Sequence, residues 1–282
     1  MTDYADTDRA GRLPSGLTLR AMAPNAITAA ALCVGLTGIR FAIAGEFERS
    51  VLAVLLAGFL DGIDGRIARL LKAQSRFGAE LDSLADAISF GVAPALIVYL
   101  WTLQTLPRLG WFAALAFALC CVLRLARFNA RIDLADEPRK QAGFLTGVPA
   151  PVGAGLAFLP IYLWVVTGNE IFASPIAVSI WLVAVAFLMI SAVPTLSWGK
   201  LRPRRSIRLE VLALAGLLVA ALLTEPWFTL AGITIAYLLM IPLGMIGYAR
   251  VKRRRVAGPG AAPAGGADGH AGDGPASVPP AA

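Results

Sequence analysis

Apolar stretches recur along the chain at residues 25–44, 50–71, 83–101, 109–128, 147–167, 171–193, 209–224 and 227–248. An α-helix needs about 20 such residues to cross roughly 30 Å of hydrocarbon, and all but the short seventh stretch come close to that length. Nothing constrains the fold more, because a backbone in lipid must satisfy its own hydrogen bonds, and a helix does so within one segment. Composition agrees. Of the 282 residues, 57% are hydrophobic and 15% charged, where a soluble domain carries about 45–50% and 25%. Too few polar residues remain to cover a globule. The pattern predicts an all-α, polytopic membrane helix bundle of about eight transmembrane helices, with the lipid bilayer as its solvent.

The lone histidine, His270, lies in a Gly/Ala/Pro-rich tail, so Ser-His-Asp, Cys-His and histidine–metal chemistries lack their central residue. Cys33, Cys120 and Cys121 fall inside apolar stretches and read as small packing residues. The net charge of +7 is distributed as a topology signal and does not imply nucleic acid as a partner. Arg66, Arg69, Lys72 and Arg76 follow the second stretch, and Arg124, Arg127, Arg131, Arg139 and Lys140 the fourth. Lys200, Arg202, Arg204, Arg205 and Arg208 follow the sixth, and Arg250, Lys252, Arg253, Arg254 and Arg255 the eighth. The other side has only Arg40, Arg49 and Arg108. Excess Lys and Arg mark the cytoplasmic side, so both termini and all the basic loops are expected there. The expected organisation is a polar N-terminal segment (1–22) without signal-peptide features, a membrane domain (23–250), and a tail (251–282). That tail is basic, then Gly/Ala/Pro-rich, and too poor in large apolar residues to order itself.

One stretch, "LDGIDGRIARLLKAQSRFGAELDSLADAISFG", carries four acids at a membrane edge. Asp61 and Asp64 are three residues apart, Asp82 and Asp86 four, so on helices each pair shares one face. "KAQSRFG" breaks the apolar pattern and predicts a short turn between two antiparallel helices, which brings the pairs together. A charge at mid-membrane costs about 2.5–3.5 kcal/mol, so Asp61, Asp64, Arg66 and Arg69 would cost on the order of 10 kcal/mol there. The apolar run Val51–Leu60 offsets only about half of that. The acids are therefore expected near the interface or in a polar cavity. Converging carboxylates repel unless a cation joins them, and hard oxygen donors suit Mg²⁺ or Mn²⁺.

Small residues accompany the acids. Gly58 and Gly62 form a GxxxG face that reads as helix packing, whereas Gly65, Ala68 and Gly78, beside the acids, predict a ligand cleft. Arg69 lies eight residues after Asp61, on the same face, where its planar fork suits a phosphate. Arg66, Lys72 and Arg76 read as loop charges. Arg124, Arg127 and Asn129 in "RLARFN" are candidates for binding phosphate or an acceptor carboxylate, or for anchoring the helix end.

These residues match the pattern D-x2-D-G-x2-A-R-x8-G-x3-D-x3-D at Asp61, Asp64, Gly65, Ala68, Arg69, Gly78, Asp82 and Asp86. By that motif the chain resembles the CDP-alcohol phosphatidyltransferase family. Its flanks, "PNAITAAALCVGLTGIRFA", "SLADAISFGVAPALIVY", "RLARFN" and "FLTGVPAPVGAG", are similar to the bacterial membrane branch that uses L-serine. The resemblance runs from about residue 20 to 250. It implies a six-helix core with two further C-terminal helices, a homodimer, and an inner-membrane location with the active site at the cytoplasmic face. It implies two divalent cations, Mg²⁺ or Mn²⁺, one held by Asp61, Asp64 and Asp82 and the other by Asp61, Asp82 and Asp86. Asp86 is also the implied base. Gly65, Arg69 and Ser75 contact the CDP headgroup, Ala68 and Gly78 line the nucleotide cleft, and Asn25 is added as a further CDP contact. The implied reaction joins CDP-diacylglycerol and L-serine. Two alternatives are another acceptor (glycerol 3-phosphate, an inositol phosphate or choline) and, more remotely, a divalent-cation transporter, which would spread its acids through the membrane depth.

Overall fold

The computed structural model describes residues 19–72, 75–130, 144–191, 194–196 and 208–256. Residues 1–18, most of the basic loops and the tail from 257 onward lie outside the described residues, and with them the expected disorder of the tail. The chain divides into two units, Met1–Met245 and Ile246–Ala282; what is described of the second is the end of the last helix, through Val256.

The apolar stretches become helical spans: α1 (Leu19–Ile43), α2 (Phe47–Leu70), α3 (Arg76–Asp86) running through a wide π turn (Ala87–Val92) into α4 (Ala93–Trp101), and α5 (Leu109–Ala130). After these come α6 (Ala150–Ala157), α7 (Leu159–Thr167), α8 (Pro175–Ile190), α9 (Arg208–Thr224) and α10 (Pro226–Val256). Met22–Ile43, Arg76–Trp101, Leu109–Ala130 and Ala150–Thr167 are each long and apolar enough to cross a membrane. Pro175–Ile190, Leu209–Thr224 and Pro226–Pro242 are apolar but shorter, and α2 carries Asp61, Asp64, Arg66 and Arg69 in its last turns. Large apolar side chains face outward along these helices: Phe59, Phe112, Ile180 and Phe187 are each 64–69% exposed. Such a surface is untenable in water and ordinary in lipid. The protein is a polytopic helical membrane bundle.

Its core lies where α4, α5, α6, α7 and α8 meet, around Ile97, Phe117, Leu156, Tyr162, Leu182 and Met189. The fifth span breaks at Phe158 because Pro160 has no N–H to return to the Leu156 carbonyl. Trp181 of α8 fills that vacancy, its Nε1 donating to the Leu156 oxygen at 2.8 Å. A further element escaped the apolar pattern. Phe144–Thr146 (β1) and Pro194–Leu196 (β2) pair antiparallel, with Leu145 opposite Thr195. Three residues are too few to display an alternating pattern, so a ladder this short is silent in the sequence.

The α1–α2 hairpin positions the site. Gly45, at φ +79°, turns the chain between them. A Cβ on Gly38 would lie 3.0 Å from the Ser50 carbonyl oxygen, so the two helices are in close backbone contact. The GxxxG pair on α2 divides: a Cβ on Gly58 would stand 3.3 Å from the Phe90 ring, whereas Gly62 faces open space.

Candidate active site

The acids come from two helices joined by a short turn. Asp61 and Asp64 lie in the last turns of α2, with Asp64 buried. Asp82 lies in the last two turns of α3, and Asp86 ends it. α3 begins earlier than the broken apolar pattern suggests, because Ser75 is its N-cap: Ser75 Oγ accepts from the Gly78 N–H at 3.0 Å. Just past Asp86 the helix widens into the π turn, directly before Pro94, whose ring would otherwise leave an α-helical carbonyl unmatched.

Carboxylate oxygens of Asp61, Asp64 and Asp82 all lie within 4.8 Å of one another. The Asp86 carboxyl group lies beside that of Asp61, so the four acids form one cluster. Thr28 of α1 donates its Oγ1 to Asp64 Oδ2 at 2.5 Å and also lies 3.1 Å from the Pro24 carbonyl oxygen. Oxygens on opposite sides of a Mg²⁺-sized ion stand about 4.2 Å apart, given bonds near 2.1 Å. The three acids therefore need only small rotations to hold such an ion, and an all-oxygen donor set is the one hard cations prefer.

Beside the acids opens a cleft of about 310 Å³, lined by Pro24, Asn25 and Thr28 of α1, Asp64, Gly65, Ala68 and Arg69 of α2, and Ser75, Gly78, Ala79 and Asp82. Every residue singled out for CDP contact lines this one cleft. Its shape depends on its glycines. A Cβ on Gly78 would stand 2.7 Å from Asn25 Oδ1 and 3.1 Å from Ser75 Oγ, so only glycine allows α3 to approach α1 there. Arg69 folds back over Gly65, its guanidinium 3.6 Å from where a Cβ on Gly65 would be. The cleft thus has an acidic wall, a flat small-residue floor and an arginine at its rim, an arrangement suited to a nucleotide phosphate bridged to cations.

The "RLARFN" residues lie apart from this lining. Arg127 donates an Nη2 hydrogen to the Ile190 carbonyl oxygen at 3.0 Å, and Asn129 donates its Nδ2 to Ser83 Oγ at 2.8 Å. Arg124 is half-buried on the Asp86 side of the cluster, and its Nε has no hydrogen-bond partner among the described residues. The sequence reading missed Thr28 and Ser83. Thr28 stands three residues after Asn25 on the same helix face, a signal that was available.

The family model "CDP-alcohol phosphatidyltransferase" matches residues 21–248. A Mycobacterium leprae protein named CDP-diacylglycerol–serine O-phosphatidyltransferase is 43% identical over 171 residues, covering 61% of this chain and 57% of the relative. Proteins of the same name from Helicobacter pylori (39%, covering 50% of this chain and 57% of the relative) and Bacillus subtilis (35%, covering 60% and 87%) also match. The chain thus spans less than two thirds of the length of the Mycobacterium and Helicobacter relatives.

Proposed function

The chain belongs to the CDP-alcohol phosphatidyltransferase family, and from that premise we propose that it moves the phosphatidyl group of CDP-diacylglycerol to the hydroxyl of L-serine, giving phosphatidylserine and CMP. The observation that carries this reading is the single cleft uniting Asn25, Gly65, Ala68, Arg69, Ser75 and Gly78 with Asp64 and Asp82. Serine as the acceptor is supported by the names of the relatives.

In this reading the CDP portion lies on the floor made by Gly65, Ala68 and Gly78, with Asn25 and Ser75 beside it and the Arg69 fork on its phosphates. Asp61, Asp64 and Asp82 would hold one divalent cation, and Asp61, Asp82 and Asp86 a second, either Mg²⁺ or Mn²⁺. Bound there, they would supply positive charge against the pyrophosphate and the leaving CMP. Asp86 accepts the serine hydroxyl proton. The serine oxygen bonds to the phosphorus that carries diacylglycerol, the P–O bond to CMP breaks in line, and CMP departs with the electron pair. Of the three "RLARFN" candidates, Arg124 lies on the Asp86 side of the cluster and is assigned to the serine carboxylate. The enzyme is further proposed to act as a homodimer in the inner membrane, with both termini and the active site on the cytoplasmic side. That placement gives a lipid donor and two water-soluble partners access to the same cleft.

The test is CMP release by purified protein with CDP-diacylglycerol and Mg²⁺ or Mn²⁺, supplying L-serine, glycerol 3-phosphate, myo-inositol 1-phosphate and choline one at a time. Release with serine alone is expected. Release with another acceptor would keep the family and overturn serine, and release with none would overturn the reaction.

A further inference from the structure

α3 carries two of the four acids, yet little apolar packing holds it. Ala85 is its single buried side chain, and Phe77 and Leu84 are about 60% exposed. Its neighbour α5 is firmly seated only as far as Leu125, the last buried side chain before the helix ends at Ala130. Past Leu125 the end of α5 is held by polar ties, to α8 through Arg127 and the Ile190 carbonyl and to α3 through the hydrogen bond from Asn129 Nδ2 to Ser83 Oγ.

The register of the Asn129–Ser83 tie is informative. A Cβ on Gly91 would stand 3.2 Å from the Cβ and Sγ of Cys121, so the π turn and α5 touch closely there. Ser83 lies eight residues before Gly91, and Asn129 eight residues after Cys121, as antiparallel neighbours in one register require. Beyond the core that α4 and α5 share, the helix pair is thus fastened by one apolar contact and one polar one. Asp86 falls between the fastenings, and Asp82 is adjacent to the polar one. Ser83 and Asp86 are three residues apart, so the side chain that receives the tie is on the same side of α3 as the acid.

We infer that Asn129 is a positioning residue: through Ser83 it fixes the rotation and height of α3 and so sets where Asp82 and Asp86 present their carboxylates to divalent cations. This rests on the cation reading of the acid cluster given above. In this role Asn129 uses one Nδ2 hydrogen on Ser83 and acts on the acid cluster, not on the acceptor. Groups bonded directly to metal ligands govern about 10- to 100-fold of metal affinity; a tie acting one step further out, through the helix, is expected at the lower end of that range.

The test is Mn²⁺ binding followed by electron paramagnetic resonance, on full-length protein in nanodiscs without substrate, with steady-state CMP release in parallel. Asn129→Ala and Ser83→Ala are each expected to weaken Mn²⁺ binding about tenfold or more. The double variant should be no worse than either single one, because the two residues act through one bond. Ser83→Thr keeps the accepting oxygen and should bind within about threefold of the unaltered protein, a rescue that a general packing role would not give. The serine KM should stay constant while kcat falls. Unchanged Mn²⁺ affinity in Asn129→Ala with a raised serine KM would overturn the inference and return Asn129 to the acceptor site. Should Asn129→Ala not fold, Ser83→Ala against Ser83→Thr decides by the same measure. Absence of Mn²⁺ binding in the unaltered protein would instead overturn the cation reading on which the inference stands.

Discussion

Gly65→Ala separates a cleft that exists for a ligand from one that exists for packing. A Cβ on Gly65 would meet only the Arg69 guanidinium, at 3.6 and 3.9 Å, which is ordinary contact with the movable end of a side chain. Within the fold the substitution is therefore free, and replacing a helical glycine by alanine favours the helix by about 0.8–1.0 kcal/mol. The added methyl projects into the cleft of about 310 Å³ that Gly65 lines. If a nucleotide fills that space, the methyl overpacks it at a cost of about 1–3 kcal/mol, or roughly 5- to 150-fold in affinity. The expected result is an apparent Tm equal to or above that of the unaltered protein, with the KM for CDP-diacylglycerol raised by that factor. Gly62→Ala is the control. It makes the same change one turn earlier on α2, where nothing lies within 4 Å of the new atom and the cleft does not reach. Its KM should not move. A Gly65→Ala protein with KM within about twofold of normal would refute the placement of the nucleotide. A clear loss of stability would refute the steric argument itself.

Further outcomes follow from the same geometry. Thr28→Val removes the donor to Asp64 and leaves a buried carboxylate oxygen short of a partner; Mn²⁺ binding should weaken by about 10- to 100-fold, read by titration without substrate. Asp86→Asn keeps the side chain's size but not its ability to take a proton, so CMP release should drop by about 10²–10⁴-fold while CDP-diacylglycerol still binds. Arg69→Lys retains the charge and loses the planar fork, and the KM for CDP-diacylglycerol should rise about tenfold with serine KM unchanged. Chelation with EDTA should abolish CMP release and lower the apparent Tm, since a cation present at 100 times its Kd stabilises by about 2.7 kcal/mol; Mg²⁺ or Mn²⁺ should restore both.

What could be read from the sequence was whatever depended on local period and spacing. The eight apolar stretches became helical segments, four of them long and apolar enough to cross a membrane, because a lipid-facing helix needs only length and hydrophobicity, both local properties. The convergence of Asp61, Asp64 and Asp82 followed from spacings of three and four residues and one short turn. Features hidden from that reading depend on partners distant in sequence. The Asn129–Ser83 bond joins residues 46 apart and the Arg127–Ile190 bond residues 63 apart. In each case a polar side chain at a helix end has many formally equivalent partners until the helices are packed. Ser75 illustrates a different gap: besides lining the cleft it is the N-cap of α3, which sets the helix start at Arg76. The π turn was equally silent, although Pro94 stands where such a widening is tolerated.

The reaction itself is tested most directly by which phosphorus the acceptor attacks. Purified protein would be given CDP-diacylglycerol and L-serine labelled with ¹⁸O at the hydroxyl, and all phosphorus-containing products identified by mass spectrometry. The account predicts phosphatidylserine that retains the label, together with unlabelled CMP. Phosphatidic acid with a labelled cytidylyl-serine product would place the attack on the other phosphorus and contradict it.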